Sequence, residues 1–289
     1  MKKIISIFTS DWHMRDTKPR CRIDNYFEAQ KNKLEQIKKV QSENNCPIFD
    51  CGDLLDNHKS SPFLEGWLID NLPDNFYTIA GNHEIPYHNI NDIDKSSWNV
   101  LWKAKKINYT DIYLDTDFQV VGFHYGHLNK KYYIKNDRIN IALIHEFISI
   151  NKFPGSITPD ELVQKLQGFD YIFCGHNHTN FDVKINNTRI INVGSMLRMD
   201  ADQINYKPAF YVMYEDFTIE KKYFNIKEDV IDRKYIDDKN KTNEKMEAFI
   251  LSLNGKYEIS NSFKNNIDNY LKENKVGEGI KNKIRMSIN

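Results

Sequence analysis

The chain has 289 residues, 40% hydrophobic and 28% charged, and its 40 basic and 40 acidic side chains leave no net charge. This composition fits a globular protein of one large domain, or one domain with a small appendage. It excludes a surface that holds nucleic acid by global positive charge, and no apolar stretch approaches the length of a membrane span.

The opening "MKKIISIFTSDWH" is too short for a span and has no small-residue cleavage site, so no signal peptide is expected. The four cysteines, Cys21, Cys46, Cys51 and Cys174, form no C-x-x-C pair. They read as reduced thiols of a cytoplasmic protein.

In chain order, "IISIF" predicts a buried strand. "DNYFEAQKNKLEQIKKVQSEN" places Tyr26, Phe27, Leu34, Ile37 and Val40 at helical spacing. "CPIFDCGD" predicts a second strand, "FLEGWLIDNL" a short helix ending before Pro73, and "NFYTIAGNHE" a third strand running into a loop. "FQVVGF" and "RINIALIHE" predict further strands. "TPDELVQKLQGFD" predicts a helix with Thr158 as N-cap, Pro159 in the first turn, Glu161 closing a capping box and Gly168 past the end. "YIFCGHNH" is the next strand.

A β-rich run follows: "NFDVKI", "TRIINVG", "AFYVMYED" and "FTIEKKYF", with tight turns at Asn186-Asn187 and Glu215-Asp216. Alternating strands and helices followed by this run predict two packed sheets flanked by helices. Beyond residue 225 the chain is polar and helical in "NEKMEAFILSL", "NSFKNNIDNYLKEN" and "GEGIKNKIRMSI", with "DDKNKTNEK" as a connector. The expected organisation is a catalytic domain over 1–225 and a C-terminal helical segment over 226–289.

The chemistry stands at the strand ends. The first strand ends in Asp11-x-His13, the second in Gly52-Asp53, and the third in Gly81-Asn82-His83-Glu84. "INIALI" ends in His145, and "YIFC" ends in Gly175-His176-Asn177-His178. Ligands of open α/β sheets bind beyond the carboxyl ends of the strands, so these residues are expected to converge. Asp, Asn and His without Cys suit Mn, Fe or Zn in a reactive site rather than a thiolate zinc site. Seven donors exceed one tetrahedral ion. They suit two ions sharing a bridging carboxylate, for which Asp53 is placed. Two such ions, roughly 3.5–4 Å apart, clamp a phosphoryl group and lower the pKa of a bound water. The glycines before Asp53, Asn82 and His176 are expected to permit tight bends. A single D-x-H is a weak sign; five strand ends carrying ligands together are a specific one.

This set, "DWH", "GD", "GNHE", the lone His145 and "GHNH", resembles the calcineurin-like metallophosphoesterase superfamily over residues 11–178. The resemblance implies a four-layer α/β/β/α sandwich with a short C-terminal helical appendage. It implies that Asp11, His13, Asp53 and His178 hold one metal, and Asp53, Asn82, His145 and His176 the other. The implied cofactor is a pair of divalent ions, Mn²⁺ first, with Fe or Zn as alternatives. His83 would protonate the leaving oxygen or stabilise the phosphate, and Glu84 would hydrogen-bond the His83 ring. The implied reaction is in-line attack by a metal-bound hydroxide on a phosphodiester.

"TSDWH", "GDLLD" and "INVGSMLRMDADQ" look most like the SbcD-type branch of DNA-repair nucleases. Two departures stand against that branch and its relatives. Little chain is left for the DNA-capping domain such proteins carry. The Arg of the protein phosphatase "GDxVDRG" motif is also absent, with Asp56-Asn57-His58 in its place.

Among the remaining residues, His58 is placed to reach substrate, and Arg198 to bind its phosphate or to form a surface ion pair. His124 and His127 read as satisfied histidines or as rim residues of the cleft; His88 reads as a surface residue. Trp12 is expected to pack beneath the metals rather than stack on a base. "HLNKKYYIKN" interleaves basic and aromatic residues as a nucleic-acid contact or as a strand edge. The C-terminal helices would cover the core as a lid or, by resemblance, dock an SbcC-like ATPase; a homodimer is also open.

Three functions follow from this reading. The first is a Mn-dependent DNA nuclease. The second is a small-molecule or nucleotide phosphodiesterase or phosphatase. The third, a silent scaffold, is disfavoured by the complete ligand set.

Overall fold

A computed structural model describes residues 2–228, 230–234, 267, 271 and 277–286. The chain divides into two units, Met1–Asp232 and Arg233–Asn289.

In the first unit, the apolar run behind the first motif forms β1 (Ile4–Thr9). It pairs in parallel with β2 (Ile48–Asp50), which pairs in parallel with β3 (Phe76–Thr78). A short β4 (Asn108–Tyr109) closes that edge. On the other edge stand β11 (Ala209–Tyr214), antiparallel to β1, and β12 (Ile219–Tyr223). This first sheet is ordered β12-β11-β1-β2-β3-β4.

The second sheet is ordered β5-β6-β7-β8-β10-β9. Its strands are β5 (Ile112–Leu114), β6 (Phe118–Phe123), β7 (Ile139–His145), β8 (Tyr171–Gly175), β9 (Phe181–Ile185) and β10 (Thr188–Asn192). The β-rich run of the sequence is therefore split. Its first hairpin caps one sheet, and its second crosses over to cap the other.

Both faces of each sheet are buried, and the strands show it residue by residue. In β1, Phe8 faces the other sheet while Ile7 faces outward. In β7, Ile141 and Leu143 face inward while Ala142 and Ile144 face outward. Three apolar layers result. Between the sheets, Phe8 stacks on Phe173 with ring centroids 3.7 Å apart and planes 3° from parallel. Outside the first sheet pack α1 (Tyr26–Asn44), α2 (Pro62–Asn71) and α3 (Ser97–Lys103). Outside the second packs α4 (Pro159–Lys165). The four-layer α/β/β/α sandwich is the architecture observed.

α4 carries the Thr158 N-cap and the reciprocal Glu161 capping box that its sequence predicts. The sequence reading passes over α3 and the edge strands β4 and β5. They are too short, two to seven residues, to show a period.

In the second unit, α5 (Glu278–Met286) is helical, with Lys281 paired to Glu278 one turn away. The connector "DDKNKTNEK" and the helices expected over 243–253 and 261–274 lie outside the described residues, apart from positions 267 and 271. No helix among the described residues is long and apolar enough to cross a membrane.

Candidate metal centre

Strand register sets the site. Thr9, Asp50 and Thr78 stand side by side at the ends of β1, β2 and β3. The chain leaves each of these strands and delivers Asp11, Asp53 and Asn82 a few residues later. From the second sheet, His145 ends β7 opposite Gly175 of β8, and His176 follows. Five loops from two sheets thus meet at one end of the sandwich.

Beneath them lies a buried hydrogen-bond row. The Asp50 carboxylate accepts from Thr9 Oγ1 at 3.1 Å, Thr78 Oγ1 at 2.8 Å and Gly52 N–H at 3.1 Å. Burial pushes its carboxyl up to about 8 against those three donors. One side chain therefore ties three strands together directly below the ligand loops.

The backbone above is held in unfavourable conformations. Asp11, His13, Asp53 and His176 all have positive φ, at 49°, 44°, 55° and 78°. Such values cost a non-glycine residue energy and persist only where the surroundings enforce them. The glycines serve two different purposes. Gly52 turns the chain at φ +93°. Gly81 and Gly175 do not have positive φ and are needed for close approach instead. A Cβ on Gly81 would lie 2.1 Å from Asp53 Oδ1, and one on Gly175 would lie 2.3 Å from Ser10 Oγ. The expectation of three tight bends is thus corrected to one bend and two close contacts.

The seven predicted ligands converge. Asp11, His13 and His178 form one group that could hold an ion, and Asp53, His145 and His176 form another. His13 Nε2 and His178 Nε2 are 3.0 Å apart, and His178 Nε2 lies 3.7 Å from Asp11 Oδ1. Asn82 Oδ1 joins the second group at 3.0 Å from His145 Nε2. Asp53 Oδ2 faces both groups, 3.7 Å from His13 Nε2 and 3.2 Å from His145 Nε2.

Burial works to raise the Asp11 and Asp53 carboxyls. Histidine bonding and charge overcome it and hold both below the usual range, Asp11 through His13, His145 and His178 and Asp53 through His145 and His13. Burial works to lower His145, but Asp53 carries it up to about 10. Both acids are therefore ionised, the state in which a carboxylate oxygen holds a divalent cation. Hard oxygens and imidazoles with no thiolate among them fit such an ion chemically.

Surrounding groups fix the rings. The Cys51 carbonyl accepts from His145 Nδ1–H at 2.7 Å, which leaves Nε2 as the ring nitrogen turned to the site, free to bind an ion once its proton is displaced. Ser10 Oγ donates to Asp11 Oδ2 at 2.6 Å, and the His176 N–H donates to the same carboxylate. The His83 Nδ1–H donates to the Asp56 carbonyl at 2.6 Å, which leaves Nε2 turned to Asp53 Oδ2 at 3.9 Å.

The expected Glu84 contact to the His83 ring is corrected here. Glu84 is buried and accepts from the N–H groups of Asp53, Leu55 and Gly81 at 2.7–3.1 Å. It clamps the second and third ligand loops together, while a main-chain carbonyl orients the ring. Burial and the neighbouring Asp53 charge push its carboxyl up to about 8.

Asp56 is the residue that sequence reasoning missed. Besides its carbonyl's role, its side chain pairs with Arg15 at 3.0 Å and lies 3.8 Å from His13 Nδ1. With His13 and His83 it completes a third group of possible donors. The available signal was its place three residues after Asp53.

The two substrate residues fare differently. His58 is half-buried on the loop after Asp53, its ring 6.1 Å from that of exposed Tyr87. Arg198 is not brought to the metal centre. It is buried, donates to the carbonyls of Ile204 and Lys227, and lines a separate cavity. That places it away from the phosphate contact expected at this site. His124 is buried away from the rim and accepts the Ala80 N–H at 2.8 Å. Trp12 packs as expected, buried and edge-on to Phe76 at 5.3 Å. "HLNKKYYIKN" is neither strand nor strand edge but a loop, in which Lys130 pairs with Asp111.

The profile of one family, described as calcineurin-like phosphoesterase, matches residues 6–180. No curated protein matches the chain. Among solved structures, an archaeal phosphodiesterase is 11% identical over 75% of this chain and 98% of its own, with a TM-score of 0.40. A dimetal phosphatase from Danio rerio is 10% identical over 78% and 100%, with a TM-score of 0.46. A protein of Thermus thermophilus gives the same four figures.

Proposed function

The chain belongs to the calcineurin-like phosphoesterase family, and from that premise we propose that it is a phosphodiesterase using two divalent metal ions to cleave DNA. The observation that carries this reading is the shared position of Asp53 Oδ2, within 4 Å of a histidine nitrogen from each ligand group. Asp11, His13 and His178 would hold one ion and Asn82, His145 and His176 the other, with Asp53 common to both. Bound there, such ions neutralise phosphate oxygens and supply an activated water. The oxygen and imidazole donors suit Mn²⁺, Fe or Zn, and Mn²⁺ is the ion proposed.

The protein's own part is orientation and proton transfer. The Asp56 carbonyl holds His83 so that Nε2 faces the reacting phosphate. From there it donates a hydrogen bond to a phosphate oxygen or a proton to the leaving oxygen. Glu84 keeps the loops of Asp53 and His83 at fixed separation through its three backbone bonds.

Aromatic rings beside the centre favour nucleic acid. Tyr125 lies 5.6 Å from the His176 ring and 6.3 Å from that of His145. Phe147, 37% exposed, lies 5.9 Å from His176. Partly exposed rings at that range suit bases flanking a scissile phosphate. The zero net charge favours the second reading, a small-molecule or nucleotide phosphodiesterase or phosphatase.

One assay separates the two. The purified protein with Mn²⁺ is tested on bis-p-nitrophenyl phosphate, p-nitrophenyl phosphate, cyclic nucleotides and labelled single- and double-stranded DNA. Cleavage of the diester and of DNA is expected. Turnover of nucleotides or monoesters with intact DNA would replace the first reading by the second, and no turnover of any substrate would sink both.

A further inference from the structure

A second cluster of buried charge lies apart from the metal centre and has the opposite sign. A cavity of about 730 Å³ opens between α1, the end of α2, the Leu197-Arg198 turn and residues 225–227. Arg22, Lys33 and Arg198 line it, each only 5% exposed, and exposed Lys227 joins them.

Main-chain oxygens accept from each of the three buried cations. Arg22 donates to the Arg198 carbonyl at 2.8 Å, and Arg198 to the carbonyls of Ile204 and Lys227. Lys33 Nζ donates to the Asn225 carbonyl. Arg22 also has a carboxylate, Asp24, in a two-bond pair at 2.7 and 2.8 Å. Lys33 has no carboxylate partner among the described residues. The exposed acids of the lining, Glu28 and Glu35, are paired with Lys31 and Lys38.

A carbonyl satisfies a hydrogen bond but does not neutralise a charge, and burying an ammonium without a counter-ion is strongly unfavourable. The strain is visible in Lys33 itself, pulled down to about 8 by burial and by the charges of Arg22 and Arg198. An anion in the cavity would remove it. Arginine and lysine donors set around an open volume are the usual means of holding phosphate. The cavity has the size of a small-ligand site rather than of a single ion. Half-buried Trp67 supplies an aromatic wall and Asn71 an amide, a pairing suited to a base.

We propose that this cavity binds a nucleoside phosphate, with Lys33, Arg22 and Lys227 on the phosphate and Trp67 against the base. The site is separate from the metal centre and does not depend on the reaction catalysed there.

The test is titration of the full chain with adenosine monophosphate, inorganic pyrophosphate and a 5′-phosphorylated oligonucleotide, followed by calorimetry and tryptophan fluorescence. A saturable site is expected whose affinity falls at least tenfold in Lys33→Met and in Lys227→Gln and is largely kept in Lys33→Arg. Its fluorescence change should vanish in Trp67→Phe. Tighter binding of the monophosphate than of the oligonucleotide identifies a free nucleotide as the source; the reverse identifies a nucleic-acid end. Wild-type affinity in both Lys33→Met and Lys227→Gln, or no site beyond one that the Asp53→Ala variant also loses, would overturn the proposal. Lys227 is exposed, so its variant tests the idea even if Lys33→Met does not fold.

Discussion

Two places where the described residues bury ionised groups are built with opposite signs and by different means. At the metal centre the buried charges are the Asp11 and Asp53 carboxylates, facing imidazoles across 3.2–3.7 Å, with a backbone N–H on Asp11 at 3.0 Å. At the cavity beside α1 they are cations, each donating to a backbone carbonyl. The first arrangement concentrates negative charge at strand ends, where loops can be added without disturbing the sheets. The second gathers positive charge where a helix, a turn and a late segment of the chain meet. Main-chain groups supply much of the pairing in both. A site for cations and a site for anions can then coexist in a chain with no net charge, because sign is decided locally.

The harshest way to break the comparison is at its most shared atom. Asp53→Ala is expected to lose both metal ions by elemental analysis and to bring phosphodiester turnover down to background. Retention of two equivalents would refute a common ligand. A smaller effect is expected from His83→Ala, because His83 is assigned to proton transfer and not to metal binding. Its kcat should fall by about 10²–10⁴-fold while metal content stays at the wild-type level. Full turnover in that variant would remove His83 from the chemistry.

The smallest effect sharpens the contrast by stability. Asp50 lies beneath the centre and accepts from Thr9, Thr78 and Gly52, and its carboxyl sits near 8 in the fold against 3.8 when free. The folded chain therefore keeps a proton that the unfolded chain has released. The stability this contributes is complete below about pH 4 and is lost as pH rises towards 8. The loss is at most about 1.4 kcal/mol per pH unit. Asp50→Asn has no such proton. Urea unfolding between about pH 5 and 8 should show a shallower decline for the variant than for wild type, and parallel declines would contradict the assignment.

Much of this site could be read before any fold was known. Continuous apolar runs of strand length and five strand ends carrying Asp, His or Asn were enough to foresee two sheets and seven converging donors. Donor identity is a property of the side chain, and a strand's end is marked by the polar residue that stops it. Three things were not legible. Glu84 stands next to His83 in "GNHE", yet the fold turns it towards three backbone N–H groups. Asp56 acts on His83 through its carbonyl, an atom every residue possesses. Arg198 looked like a phosphate contact because its turn follows a motif, but its guanidinium points into a different cavity.

The amino-acid sequence by itself determined the layer order, the ligand types and the side of the sheets on which they gather. These follow from hydrophobic periodicity and from the donors a divalent ion accepts. The tertiary structure alone decided which oxygen of Asp53 faces both groups, which carbonyl aims His83, and that three cations from distant segments share one cavity. Those facts depend on distances between residues up to 176 positions apart and on main-chain atoms. No local pattern of side chains encodes either.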